Sequence, residues 1–156
     1  FLAQGLQRLA RFAVRQPLLL KTTQSVALVP IHIGSTQQEY ANIYFPAFER
    51  EFTKKFGARF RITRQEDLEE KKRVLFPLST PDFTWDNAIA LGLAMNTDAV
   101  IGLLIEESDR PGKLIEIIKI VKPANSKVMA SSNWLIKPKE SYDFKTELKA
   151  LERLWP

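Results

Sequence analysis

A continuous apolar run from Ala99 to Ile105 is the feature that most restricts what this chain can fold into. The run is far shorter than the roughly 20 residues that cross a bilayer. It contains no polar residue that could face solvent, so it predicts a strand that is covered on both faces. A second β-branched run, Lys113 to Lys122, follows a segment with the turn residues Asp109, Pro111 and Gly112. Together the two runs predict neighbouring strands in the middle of a sheet.

A helix is predicted immediately before the central strand. Thr84 can cap the first free amides of this helix, and the apolar residues that follow it recur at helical spacing. Asn96 belongs to the few non-glycine types that adopt the left-handed conformation at a helix end. The pattern therefore predicts a helix that leads directly into the sheet.

Upstream of this stretch, Ser25 to Ile33 is an apolar segment that predicts an internal strand. Pro30 lacks a backbone donor, so it must lie where no neighbouring strand needs one. An aromatic stripe at helical spacing then predicts a helix that ends at Gly57. Pro46 interrupts this pattern and leaves two alternatives: a helix that begins near Ile43 with Pro46 in its first turn, or a longer helix kinked at the proline.

Shorter elements complete the order. Residues 58–63 alternate apolar and basic side chains, which predicts a half-exposed strand, and Thr63 with Glu66 matches a capping box for a charged helix to Arg73. Residues 74–83 are predicted to be a loop, and residues 128–136 a third consecutive strand. Asp143 is predicted to cap the last helix.

The 156 residues are enough for one domain with a substantial core. Two β-α-β units followed by three consecutive strands predict an α/β fold. Its mixed sheet would run β-α-β-α-β and then continue as an antiparallel meander, with helices packed on it. The predicted division is an N-terminal arm, residues 1–20, and a single domain, residues 25–156.

The arm is predicted to be an amphipathic helix over residues 1–16, ended by Pro17. Leucines on one side and arginines on the other make it a candidate partner-binding element, together with the exposed edge of the sheet, whose unpaired backbone groups also favour docking. The candidate residues are Leu2, Leu6, Arg8, Leu9, Arg11 and Arg15. Three interpretations remain open: docking on this domain or on a neighbouring subunit, contact with a membrane surface, and a retained targeting peptide. The sequence begins with Phe1 rather than methionine, which is compatible with a leader or anchor upstream.

The net charge of +5 belongs mainly to the arm, since residues 1–38 carry four bases and no acid. The other 118 residues have 19 bases and 18 acids, a near balance that disfavours neutralisation of a phosphate backbone. An RNA-binding module is nevertheless the alternative function, because Arg59, Arg61 and Arg64 stand near Phe60. No aromatic and basic strand motif for stacking bases accompanies them.

Few residues suggest catalysis. The absence of cysteine excludes disulfides, thiol catalysis and cysteine-based zinc sites. His32, the only histidine, follows the first strand, where open sheets place ligands, yet no nucleophile or carboxylate partner is identifiable. The turn at 34–36 could offer amides to an anion but lacks P-loop spacing and its lysine.

Acidic residues give no clear metal site or carboxylate pair. The acidic group at 66–70 is followed at once by three bases, as on a solvated helix, and the group at 106–109 flanks a turn. Asp82 and Asp86 could form a pair, although Asp86 near a helix start is explained by the helix dipole. We therefore predict no enzymatic activity, no metal and no cofactor.

Four segments together resemble a known group of bacterial cell-envelope domains. They are V-A-L-V-P at 26–30, R-I-T-R at 61–64, A-L-G-L-A-M-N-T-D-A-V-I-G at 90–102 and S-K-V-M-A-S-S at 126–132. The group is built like the N-terminal domain of TolB and includes the CsgG, LpoB and FlgT proteins. Where the group has G-A-D this chain has Asn96, Thr97 and Asp98, and no lipidation cysteine is present.

The resemblance implies a non-enzymatic component located in the periplasm or associated with the outer membrane. Its implied partners are other protein subunits of a large assembly, such as a secretion system or a flagellar ring. The resemblance brings no catalytic residues, no cofactor and no nucleic-acid partner.

Overall fold

The computed structural model describes residues 11–77, 82–138 and 142–155. Within them six strands form one sheet: β1 (Ala13–Val14), β2 (Ser25–Ile31), β3 (Arg61–Ile62), β4 (Ala99–Glu107), β5 (Leu114–Lys122) and β6 (Lys127–Ile136). Five helices accompany these strands: α1 (Pro17–Lys21), α2 (Ser35–Phe56), α3 (Gln65–Leu75), α4 (Trp85–Ala94) and α5 (Lys145–Leu154).

The strands lie in the order β1-β6-β5-β4-β2-β3. β2 is parallel to both β3 and β4, whereas β4, β5 and β6 form an antiparallel meander. Parallel neighbours need crossover connections, which α2 and the α3–α4 pair supply. The predicted α/β fold, a mixed sheet that continues as a meander with helices packed on it, is confirmed.

Residues of the central strands alternate between two apolar cores. On β2, Val26 and Leu28 join the larger core, which also contains residues of α2 and α5. Their neighbours Ala27 and Val29 face the smaller core, which is completed by α3 and α4. β4 is buried continuously from Ala99 to Ile105, so the prediction of a doubly covered central strand is confirmed.

α2 supplies the larger core with aromatic side chains on one face of the helix. The buried members are Ala41, Tyr44, Phe45, Phe48, Phe52 and Phe56. Full burial of one such ring stabilises the fold by roughly 2–3 kcal/mol. Pro46 lies inside α2, which begins at Ser35, so the helix starts upstream of the proline rather than near Ile43.

The end signals of α4 are confirmed. Asn87 donates its backbone N–H to Thr84 Oγ1 at 3.2 Å, and the Thr84 N–H donates to Asn87 Oδ1 at 3.0 Å, a reciprocal cap. Asn96 has φ of 55°, the left-handed conformation expected after the helix. The helix therefore leads into β4 as predicted.

The segment before β2 differs from its prediction. Residues 1–10 lie outside the described residues, but the predicted helix does not continue to residue 16, because Ala13–Val14 pairs with Ser131 and Ala130 of β6 as β1. Pro17 begins α1 instead of ending a helix, and proline is well suited to the first helical position, where its missing N–H is not needed. Leu20 is buried in the larger core. The division of the chain at residue 20 stays a prediction.

The prediction of a capping box formed by Thr63 and Glu66 is wrong. α3 begins after Arg64, which provides no side-chain cap, and the helix continues to Leu75 rather than ending at Arg73. Thr63 instead donates its backbone N–H to the Val26 carbonyl at 3.0 Å, so the sheet holds it. The strand predicted over residues 58–63 is limited to Arg61–Ile62, because only these two residues pair with β2.

The start of α5 also differs by a residue or two. Phe144, with φ of 54°, precedes the helix, and Asp143 Oδ1 accepts a hydrogen bond from the Lys145 N–H at 3.1 Å. Asp143 therefore accepts a hydrogen bond from a backbone amide at the helix start, as predicted. It does so from the residue before the N-cap position, which Phe144 occupies. Burial of the Phe144 ring in the core explains why this bulky residue takes the cap position.

Candidate interaction surface

Beside β6 the sheet ends in the two-residue strand β1. β1 pairs only with Ser131 and Ala130. Among the described residues, no strand pairs with Ser132–Ile136 on the side away from β5. Backbone donors and acceptors along such an edge are available to a strand from another chain.

The segment beside this edge is held firmly in place. The N–H groups of Arg15 and Gln16 both donate to the Met129 carbonyl, at 2.8 and 3.2 Å. The rings of Phe12 and Trp134 meet edge to face with their centroids 6.3 Å apart. Because these contacts fix residues 12–16 on β6, the side chains that point away from the sheet are presented in a defined arrangement.

We define the edge surface as Ser132–Ile136 together with the exposed residues Arg11, Val14, Arg15 and Leu18. Val14 and Leu18 are 44% and 75% exposed, so this part of the surface offers apolar side chains for contact. Both arginines are also exposed. The surface thus combines apolar contact area, two cations and a strand edge that no described strand covers.

Only part of the predicted partner-binding set can be located. Arg11 and Arg15 lie on the edge surface, whereas Leu2, Leu6, Arg8 and Leu9 lie outside the described residues. The helix predicted from the amphipathic pattern is wrong at Ala13–Val14, which form β1, and the partner-binding role of the segment stays a prediction. Within the described residues no helix has both the length and the apolar character needed to cross a membrane.

The sheet face beside the edge surface is also only partly covered. α3 and α4 pack over β2 and β4, and Ile115, Ile117 and Leu135 on the outer strands remain half-buried on that face. Lys119 lies across the same face with its Nζ 4.8 Å from the centroid of Trp85.

A groove of about 460 Å³ lies beside the end of β2, between α2 and α3. Its polar lining consists of His32, Gln38, Asn42, Glu49, Gln65, Glu69 and Lys72. His32 is buried and its backbone forms a two-bond bridge with Phe83, at 3.0 and 2.7 Å. Amides and carboxylates of this kind can bind polar groups, but the lining contains no serine, threonine or cysteine as a nucleophile.

Two backbone amides at the start of the 34–36 turn are hydrogen-bonded to side chains of this chain. Ile33 N–H donates to Gln37 Oε1 at 2.9 Å, and Gly34 N–H donates to Asp82 Oδ1 at 2.7 Å. Glu106 and Glu107 line the adjoining surface, where their charge opposes an anion. The arrangement therefore disfavours phosphate binding, and Asp82 acts in the turn rather than with Asp86, which lies in the first turn of α4.

The acidic groups considered from the sequence do not converge. Asp67 accepts a hydrogen bond from Arg64 at 3.3 Å on the exposed start of α3. Across residues 11–77, 82–138 and 142–155, no three histidine or carboxylate side chains are arranged to hold a metal ion.

The basic residues near β3 are poorly placed to bind RNA bases. Phe60 is only 4% exposed and packs edge to face on Trp155, so its ring face is not available for stacking. The guanidinium of Arg59 lies 5.7 Å from the Phe60 centroid, and Arg64 bonds Asp67.

No protein-family model and no curated protein match the sequence. The structure is similar to the LpoB C-terminal domain from Salmonella enterica, with a TM-score of 0.52 and 17% identity over 80% of this chain and 96% of that one. It is also similar to the chain of a PelC dodecamer from Paraburkholderia phytofirmans that carries one substitution. The TM-score is 0.52, with 13% identity over 94% of this chain and 98% of that one. The chain therefore has the fold of the cell-envelope α/β group, including LpoB, that its sequence resembles.

Proposed function

We propose that this chain is a non-enzymatic interaction domain of a bacterial cell-envelope assembly, and that it binds its partners through the edge surface. The observation that carries the proposal is the exposure of Val14 and Leu18 beside Ser132–Ile136 of β6, a stretch with no paired neighbour on its outer side among the described residues. An unpaired strand edge and exposed apolar side chains each favour docking, and here they are adjacent.

The fold similarities support an assembly built from several subunits. One of the similar structures is a PelC dodecamer, so domains of this shape can assemble in many copies. The partner of the edge surface is accordingly a second copy of this chain. The resulting oligomer is a periplasmic or outer-membrane-associated component, such as part of a secretion system or a flagellar ring.

The chemistry of the described residues supports a non-enzymatic role. The backbone of His32 is held by its bridge to Phe83, and the amides of Ile33 and Gly34 are engaged by Gln37 and Asp82. The groove beside His32 has no serine, threonine or cysteine in its described lining to act as the nucleophile of acyl or phosphoryl transfer.

Arg11 and Arg15 suggest how the assembly is oriented. Both cations are exposed on the edge surface next to the basic arm, and residues 1–38 contain no acid to offset them. Anionic lipid headgroups attract such a segment, so the arm brings the assembly against a membrane surface.

Leu18→Glu tests this function. A charge at this exposed position disrupts apolar contact with a second copy, while the side chain makes little contact in the monomer. Light scattering measures the molar mass in solution over a series of protein concentrations up to the high micromolar range. The native chain should form oligomers, and the variant should stay monomeric.

Val74→Glu is the matched control, because Val74 is 69% exposed and lies on α3, far along the sheet from β6. The control should assemble like the native chain. A native chain that stays monomeric at every concentration, or a Leu18→Glu chain that assembles normally, would refute the proposal.

A further inference from the structure

Two carboxyl groups are buried together between the sheet and α5. Glu116 lies in the middle of β5 among the core residues Leu114 and Ile118, and it is 0% exposed. Glu147 lies in the first turn of α5 and is 1% exposed. An acidic residue in the middle of an apolar strand face is rare unless the group is paired or neutral.

The surroundings of the pair are aromatic and apolar. Glu116 lies between Ile105 and Trp134 on the neighbouring strands. Both Glu116 oxygens and Glu147 Oε2 are buried and have no hydrogen-bond partner among the described residues. Two ionised carboxylates cannot be stabilised together in such a place, whereas a proton on one of them allows it to donate to the other.

We propose that Glu116 and Glu147 share one proton, and that this shared proton holds the first turn of α5 on the sheet, so that a rise in pH releases that end of the helix. The proposal is independent of the edge surface. It assigns to the fold a proton-binding site that couples pH to the docking of one helix.

Two other titratable groups lie near the pair. Tyr142 and Asp143 approach from the segment before α5, and the Tyr142 ring lies 6.1 Å from that of Tyr44 on α2. The Tyr142 hydroxyl stays neutral and hydrogen-bonds Glu147, whereas the Asp143 carboxylate adds negative charge that opposes ionisation of the pair.

The pKa values agree with this geometry. Burial, and then the neighbouring Glu147, raise the pKa of Glu116 well above its usual value. Burial, and then the charges of Glu116 and Glu147, raise the pKa of Tyr142, so its hydroxyl stays protonated. Because the folded state binds the proton more tightly than the unfolded state, the stabilisation is complete below the unfolded pKa of Glu116 and is lost as pH rises through the folded one.

The two ends of α5 are held differently, which determines where the helix opens. At its C-terminal end Trp155 bonds the Leu20 carbonyl and Glu152 pairs with Lys55 at 2.8 Å. At its N-terminal end Phe144 has a left-handed φ of 54°, which is unfavourable for an aromatic residue. Loss of the proton should therefore free the N-terminal end first.

Amide hydrogen exchange of the full chain between pH 6 and 9 tests the proposal. After correction for the intrinsic pH dependence of exchange, opening of residues 144–148 should increase by up to about tenfold per pH unit, the value for one linked proton. Residues 151–155 should change less. Equal behaviour of the two ends would overturn the proposal.

Glu116→Gln supplies the decisive variant, because the amide keeps the shape of the carboxyl group and stays neutral at every pH. The extra opening at high pH should disappear in Glu116→Gln and persist in Glu70→Gln, a control with an exposed carboxylate on α3. Unchanged pH dependence in Glu116→Gln would overturn the proposal.

Carboxyl-carbon NMR of the native chain provides a test that does not depend on folding of a variant. One glutamate resonance should titrate at least one pH unit above the ordinary midpoint of about 4.3. A spectrum in which no glutamate midpoint is raised would overturn the proposal.

Discussion

Trp155, directly after α5, donates its indole N–H to the carbonyl oxygen of Leu20 at 2.9 Å, and both residues are buried. The bond joins the end of α5 to α1, 135 positions earlier. The same indole ring packs edge to face against Phe60 at 4.8 Å and Phe56 at 6.0 Å. One side chain thus links α1, α2 and α5.

We expect Trp155→Phe to lower the free energy of unfolding by about 1–3 kcal/mol. The ring packing is largely kept, but the buried Leu20 carbonyl loses its partner, and an unsatisfied buried acceptor carries a cost of this size. Urea unfolding followed by circular dichroism measures the change. Trp155→Leu, which removes ring packing as well, should cost more; equal stability of Trp155→Phe and the native chain would show that the bond contributes nothing.

Gly102 makes room for Trp85, and we expect Gly102→Ala to be destabilising by about 1–3 kcal/mol. A methyl group at residue 102 would collide with the Trp85 ring, and it would lie 3.2 Å from Ile31 Cγ1. The measurement is a thermal or urea unfolding curve of the variant against the native chain.

The Trp85→Leu/Gly102→Ala double variant is the matched control for Gly102→Ala. If the cost arises from collision with the indole, adding Gly102→Ala to a Trp85→Leu background should cost less than adding it to the native chain. Equal costs in the two backgrounds would assign the effect to the backbone of β4 instead.

The strands and the two cores were largely predictable from local pattern. Ala99 to Ile105 has no polar residue, and β2 is apolar at every position after Ser25, so both faces of these strands had to be covered. The caps of α4 were also predictable, because Thr84, Asn87 and Asn96 act through neighbours a few positions away.

Features that depend on distant partners were not predictable. Residues 13–14 have a helical pattern with their neighbours, but pairing with Ser131 and Ala130 makes them a strand. Glu116 lies in an apolar strand pattern and gave no sign of its contact with Glu147, 31 positions later, because tertiary packing alone brings the two together. The sequence predicted contact through the arm and through an exposed edge of the sheet, but it did not show that β6 forms that edge.

Asp98 connects the starts of β2 and β4, and we expect Asp98→Ala to cost about 2–3 kcal/mol. Its Oδ2 accepts from the N–H groups of Gln24 and Ser25 at 2.9 and 3.1 Å, and the Asp98 N–H donates to Ser25 Oγ at 2.9 Å. The substitution removes both carboxylate bonds, which are charge-assisted. Asp98→Asn keeps one acceptor oxygen and should retain part of the stability in the same urea titration; identical losses for the two variants would argue against the bonds.

Removal of residues 1–10 separates the role of the arm from that of the edge surface. This cut leaves β1 and the contact between Phe12 and Trp134 intact, whereas a cut after residue 16 would remove a strand of the sheet. We expect the shortened chain to unfold at a denaturant midpoint close to the native one and to form the same oligomer, because the edge surface is unchanged. Its binding to vesicles that contain anionic lipid should fall, since Arg8 and the apolar residues Leu2, Leu6 and Leu9 are lost. Loss of the oligomer in light scattering would instead show that the arm, and not the edge surface, joins the subunits.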